Sequence, residues 1–200
     1  MMKSDREYRS MELMAIPIEE GTEPSYLVEG YASTFDPYVL LTVDGVDYSE
    51  RIEPTAFDEA DLSDVVFRVD HEGRVYARSS AGTVELWHDA HGLGQRTDLS
   101  KTAAARELFA DIEAGNYPKM SFAFTVAEDH FDRETHTRVI DRIAKVFDVS
   151  PVSFPANPNT DLSVSTRSYF DGVIEAERAE RLAREERERQ IQRIKLLTEV

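Results

Sequence analysis

Gly115-Asn116-Tyr117-Pro118-Lys119-Met120-Ser121-Phe122-Ala123-Phe124 is the stretch whose reading decides the fold. Its first four residues are turn formers, which end one element before the next begins. From Met120 the pattern alternates. Ser121, Ala123 and Thr125 point one way, and Phe122, Phe124 and Val126 the other, which predicts a half-buried strand. Ser121 then stands at the strand's entrance, exposed enough to meet a substrate and held by rigid backbone. A nucleophile suits that place but needs a base. The alternative at this point is a strand serine with no chemistry.

Working outward, Ala105, Leu108, Phe109 and Ile112 form an apolar stripe at helical spacing. Ser100 or Thr102 can cap that helix and Gly115 can stop it. On the other side, Asp132-Arg133-Glu134-Thr135 turns the chain back. Val139–Val149 returns as a long strand with a bulge near Ala144-Lys145. The prolines of Ser150-Pro151-Val152-Ser153-Phe154-Pro155-Ala156-Asn157-Pro158 argue against helix and central strand alike. Further toward the N-terminus, strands are expected at Met11–Ile18 and Tyr26–Ala32, with a turn at Gly21-Thr22-Glu23-Pro24 and a bulge at Gly30. Asp44-Gly45 reads as a hairpin tip. Glu53-Pro54-Thr55-Ala56-Phe57 leads to a short polar segment with a helical option. Val65–Val69 is the apolar run expected to be buried, and it ends in Asp70-His71-Glu72-Gly73. Val75–Arg78, Thr83–His88 and Gly92–Asp98 follow as short strands. Many short strands and one helix predict a strand-rich α+β domain, a barrel or sandwich with helices around it.

The tail differs in kind. Ala176–Leu197 is rich in Glu, Arg and Ala and predicts a solvated helix, with Glu180–Arg184 and Glu185–Arg189 pairs and a small apolar patch at Ile191, Ile194 and Leu197. Thr160–Ser168 reads as a flexible joint before it.

Composition narrows the classes. An apolar fraction of 41% supports a core, and the absence of cysteine excludes disulfides, a thiol nucleophile and cysteine-bound zinc. The net charge is −16. The residues after Phe170 hold seven basic and eight acidic side chains, leaving sixteen basic and thirty-one acidic in the first 170, a net of −15. Such a surface repels phosphate backbones, so no nucleic-acid partner is expected. No apolar run follows Met1-Met2-Lys3-Ser4-Asp5-Arg6-Glu7, and no stretch approaches the roughly 18–20 apolar residues of a membrane span. A soluble cytoplasmic protein with no membrane partner is expected.

Beside Ser121, two residues stand out for chemistry. His71 closes the most apolar strand at a strand-to-loop corner, where it can act as a general base or simply occupy a turn. Asp148 lies between Phe147 and Val149. A carboxylate heading into an apolar stretch needs a partner, and an imidazole is a natural one; the alternative is an outward-facing strand residue. His88-Asp89-Ala90-His91 lacks a convincing third metal ligand and reads as a hairpin loop. His130 and His136 flank a polar turn.

Together these pieces resemble the caudovirus prohead protease family, the serine proteases of tailed-phage capsid maturation. The resemblance spans roughly Val28 to Asn157. It runs through Glu29-Gly30-Tyr31-Ala32, Glu50-Arg51-Ile52-Glu53-Pro54-Thr55-Ala56-Phe57, Asp70-His71 and Met120-Ser121-Phe122-Ala123-Phe124. It closes on Asp148-Val149-Ser150-Pro151-Val152-Ser153-Phe154-Pro155-Ala156. Thr55 stands where the family usually has glycine, and Asp148 where glutamate is commoner.

The resemblance implies an α+β fold similar to herpesvirus assemblin, a β-rich barrel surrounded by helices. Residues 1–160 would be the protease domain and 161–200 a linker and charged helical tail. It implies Ser121 as nucleophile, His71 as general base and Asp148 as the orienting acid. In the assemblin relatives a second histidine fills the third place, so His88 or His91 is the alternative there. The implied activity is that of a serine endopeptidase acting in the prohead, inside the host cytoplasm. Its substrates would be scaffold, the scaffold arm of the major capsid protein, and the protease itself, with room for a homo-oligomer. The tail would contact scaffold or capsid protein and be cut away. No metal or cofactor is implied. A non-catalytic assembly or scaffolding protein derived from the protease is the alternative. An esterase is disfavoured, because no Gly-X-Ser-X-Gly elbow surrounds Ser121.

Overall fold

The structure, a computed structural model, describes residues 6–12, 26–153 and 164–198. The chain divides into two units, 1–163 and 164–200. The first carries strands β1 (Glu7–Glu12), β2 (Leu27–Thr34), β3 (Tyr38–Val43), β4 (Val46–Ile52), β5 (Val66–Val69), β6 (Glu72–Arg78), β7 (Val84–His88), β8 (Gly92–Asp98), β9 (Lys119–Asp132) and β10 (Thr137–Val152), with helix α1 (Ala103–Glu113) between β8 and β9. The second is helix α2 (Val164–Thr198).

The strands form two sheets. One has seven strands along the path β1-β9-β10-β4-β3, with β5 joined to β10 and β6 to β5; the other has the order β2-β8-β7. β10 organises the larger sheet. One of its edges pairs with antiparallel β9 along nearly its whole length. The other edge is shared in succession by two parallel strands, β4 at Thr137–Ile140 and β5 at Asp148–Val149. The pairing with β9 is irregular between Ile140 and Asp148, so the bulge expected near Ala144 is one of several. Because β10 divides one edge between two partners, the sheet branches. Among the described residues neither sheet returns on itself, so the expected barrel is not closed.

β9 departs from its half-buried reading. Met120, Phe122, Ala123 and Phe124 are all buried, as is Ser121. The strand lies between β1 and β10, and both of its faces are covered up to Phe124. The Phe122 and Phe124 rings stack at 4.5 Å, and Phe57 leans on Phe122 at 6.2 Å. Each such buried ring contributes roughly 1.5–3 kcal/mol. Phe67, Leu93, Leu99, Leu108, Ile140 and Val149 extend the same core.

α1 begins where Thr102 accepts the Ala105 N–H at 3.1 Å, and Ala105, Leu108 and Ile112 face inward. Gly115 follows at φ 81°, the left-handed conformation that ends helices. The Asp44-Gly45 hairpin tip is present, with positive φ at both residues. The irregularity in β2 falls between Tyr31 and Ser33 rather than at Gly30. Residues 54–59 are a run of turns instead of a helix, held by Ala56 N–H to Glu53 O and Asp58 N–H to Thr55 O. β10 continues through Pro151 to Val152. Val149 is the last residue paired with β5, and the proline carbonyl accepts the Asp70 N–H at 3.1 Å. The strand expected at Met11–Ile18 and the turn at Gly21–Pro24 lie largely outside the described residues. The described strand there is β1, which starts at Glu7.

β1 is fastened by buried charge. Arg9 donates to Glu50 through Nε at 2.5 Å and to Glu7 through Nη2 at 2.7 Å. Arg138 donates to both glutamates, at 2.7 Å and 3.0 Å, and the Tyr38 hydroxyl donates to Glu50 at 2.6 Å. Burial works foremost against the Arg9 charge, but Glu50, Tyr38 and Glu7 together outweigh it and hold the guanidinium pKa well above its ordinary value. Burial and then the Glu50 charge push the Tyr38 hydroxyl well up. These four charges come from β1, β4 and β10, so they fix the edge strand against the middle of the sheet.

In α2, Arg189 reaches Glu185 at 4.0 Å, and Leu182, Ile191 and Ile194 are exposed. The helix starts at Val164, so the C-terminal half of the expected joint is helical, its Ser and Thr carried by continuation of a long helix. The side chain of Leu197 and residues Thr160–Ser163 lie outside the description. No helix of the described residues is long and apolar enough to cross a membrane.

Candidate active site

β5 and β6 pair up to Val69 and Glu72, which leaves Asp70 and His71 as a two-residue turn. Both have positive φ, 48° and 59°. Such a turn requires left-handed backbone at both central positions. That conformation costs an L-residue roughly 1–2 kcal/mol, and Asp and His are among the types that tolerate it best. Tertiary contacts hold the turn in place. The Asp70 carboxylate accepts from the Ser153 N–H at 2.9 Å, and Arg68 Nη1 donates to the His71 carbonyl at 3.1 Å. The Tyr8 ring, from β1, packs against the His71 ring at 4.5 Å.

The turn projects His71 between two strands. Its Nδ1 lies 2.6 Å from Asp148 Oδ1 and its Nε2 lies 2.7 Å from Ser121 Oγ. Ser121 is near the start of β9 and Asp148 near the end of β10, where the antiparallel register sets Ser121 opposite Ser150 and Ala123 opposite Asp148. Directly opposed residues share a face of the sheet. Ser121, Asp148 and Ser150 therefore stand on one face, with only the Ala123 methyl opposite the carboxylate. The Ser150 hydroxyl donates to Asp148 Oδ1 at 2.7 Å.

The site is well removed from water. Ser121 is 1% exposed and Asp148 2%, and the His71 side chain 15%. The serine is thus less open than its place at the strand's entrance suggests, because β1 pairs along that part of β9. In the tautomer that directs Nδ1–H at the carboxylate, Nε2 is left to accept the serine proton. A hydroxyl, an imidazole and a carboxylate joined this way can activate the hydroxyl for attack on an acyl carbon.

The other histidines lie elsewhere. His88 is 3.8 Å from Asp58, and the His91 ring packs on Tyr31 at 4.5 Å. The carboxylate on His71 is that of Asp148, whose shorter side chain reaches the ring. His130 pairs with Asp141 at 2.6 Å. Among the described residues no group of three or more His, Asp or Glu is placed to hold a metal ion.

The sequence model of the caudovirus prohead serine protease family matches residues 12–172. The chain belongs to that family. No curated protein matches it. Among solved structures, the capsid assembly protease of bacteriophage T4 is similar with a TM-score of 0.46 at 13% identity, over 76% of this chain and 98% of that one.

In this prohead protease family member, four contributors to the site went unread in the sequence. Tyr8 lies in a polar N-terminal segment with no visible periodicity. Asp70 and Ser153 meet only because the end of β10 passes the hairpin. Ser150 did leave a signal, since it stands two residues after Asp148 on a strand and so on the same face.

Proposed function

We propose that the chain is a serine endopeptidase of capsid maturation, with Ser121 as nucleophile, His71 as general base and Asp148 as the group that orients and stabilises the imidazole. Support comes from the unbroken series of hydrogen bonds, 2.6 Å and 2.7 Å, on the two nitrogens of one ring. As Ser121 Oγ bonds to the carbonyl carbon of a scissile peptide, its proton passes to His71 Nε2. The C–N bond then breaks and the leaving amine takes that proton. Water, deprotonated by the same nitrogen, releases the acyl group from the serine.

The substrates are scaffold or the scaffold arm of the major capsid protein, and the protease itself, within the prohead in the host cytoplasm. Residues 1–160 form the protease domain. Residues 161–200 are the linker and charged tail, which contacts scaffold or capsid protein and is removed on maturation. The test is Ser121→Ala in assembling proheads, with the scaffold followed by gel and mass spectrometry. Uncleaved scaffold and immature shells are expected. Normal cleavage would sink the peptidase reading and favour a non-catalytic assembly role.

A further inference from the structure

We infer that Ser150 is a positioning residue for this chemistry, acting on His71 through Asp148. The inference rests on the peptidase reading above. Ser150 is 0% exposed, and its hydroxyl donates to the same oxygen, Oδ1, that faces His71 Nδ1.

The physical need is specific. A carboxylate turns easily about its Cβ–Cγ bond, because that torsion is broad and roughly two-fold. One hydrogen bond from the imidazole fixes a distance but leaves the plane of the carboxylate free to swing. A second donor on the same oxygen, arriving from the strand that carries the acid, removes that freedom. The hydroxyl comes from two residues along β10, so its direction is set by the strand itself. Hydrogen bonds to ionised acceptors are also the strong kind, and a carboxylate out of water needs such donors.

The register adds a second link. Ser150 is the residue directly opposite Ser121 in the β9–β10 ladder. One cross-strand pair thus carries the attacking hydroxyl on one strand and the anchor of the acid on the other. Any shift of β10 against β9 therefore moves the acid and its anchor relative to the attacking hydroxyl.

The experiment measures the rate at which a fluorophosphonate probe labels Ser121 in the full chain. This readout needs no identified substrate. Ser150→Ala is expected to slow labelling about ten-fold, the loss of one hydrogen bond to a charged group. Ser150→Thr, which keeps the hydroxyl, is expected to restore most of the rate. Ser150→Cys keeps the volume with a weaker donor, is expected to fall between, and serves if the alanine chain does not fold. In an Asp148→Ala background, Ser150→Ala is expected to add nothing, because its route to the ring is already gone. The inference is overturned if Ser150→Ala labels at the wild-type rate, or if it slows the Asp148→Ala chain by the same factor again. A wild-type chain that takes no label removes the peptidase reading, and the inference falls with it. The wild-type arm alone therefore separates the two failures.

Discussion

The Asp70 carboxylate accepts the Ser153 backbone N–H at 2.9 Å, and so ties the hairpin that carries His71 to the end of the strand that carries Asp148. The Ser153 hydroxyl bonds the same carboxylate at 3.1 Å, and the Asp70 N–H returns a bond to Pro151 O. A turn with two left-handed non-glycine residues is thereby held where its own backbone preference would not keep it.

Asp70→Ala removes the tie and leaves a residue that resists φ of 48°. It is expected to lower stability by about 1–2 kcal/mol, read by urea unfolding, and to slow Ser121 labelling. Asp70→Gly loses the tie but relieves the backbone, so it should be the less destabilised of the two. Equal losses would mean that left-handed strain is absent.

Glu50 accepts from Arg9, Arg138 and Tyr38. Removing it leaves two buried guanidinium groups short of counter-charge. Glu50→Ala is expected to destabilise the fold by about 3–5 kcal/mol. Arg138 also donates to Asp129, so a change below about 1 kcal/mol in chemical unfolding would show that Glu7 and Asp129 alone suffice for both arginines.

Acid sensitivity has an identifiable contributor at the entry to α1. Asp98 accepts from the Ser100 N–H at 2.8 Å and pairs with Lys101 at 2.9 Å. Ser100 foremost, and then Lys101, holds its pKa down to about 2, against about 3.9 in an unfolded chain. A carboxyl that binds its proton less readily when folded adds stability above the unfolded value. That contribution shrinks as pH falls from about 4 and is gone below about 2. Asp98→Asn should therefore lose less stability than wild type over that interval, measured by thermal unfolding at several pH values. Parallel curves would refute the assignment.

How much of this was legible follows from the range of each interaction. The helix at Ala105–Ile112, the Asp44-Gly45 turn and the short strands rest on local periodicity and turn chemistry, and these are written in neighbouring residues. Ser121, His71 and Asp148 were named chiefly by resemblance, since nothing local ties a strand serine to a turn histidine fifty residues earlier. The ion network stayed hidden because Glu7, Arg9, Glu50 and Arg138 each look like surface charges until three strands meet. Ser121 was read as more open than it is because the sequence does not announce β1 as its neighbour. Pro151 was read as a strand breaker, yet it sits where β10 has already lost its β5 partner.

The shared edge of β10 has a consequence for how this chain tolerates change in length. Docking on β4 is fixed at Thr137–Ile140, and the acid is delivered to the imidazole at Asp148. The interval between them works as a spacer with a parity. Removal of a single residue there, with β4 still docked, brings Val149 to the place of Asp148 and sets an isopropyl group against the ring. Where the carboxylate meets the imidazole is thus geared to where the other end of the strand docks on β4.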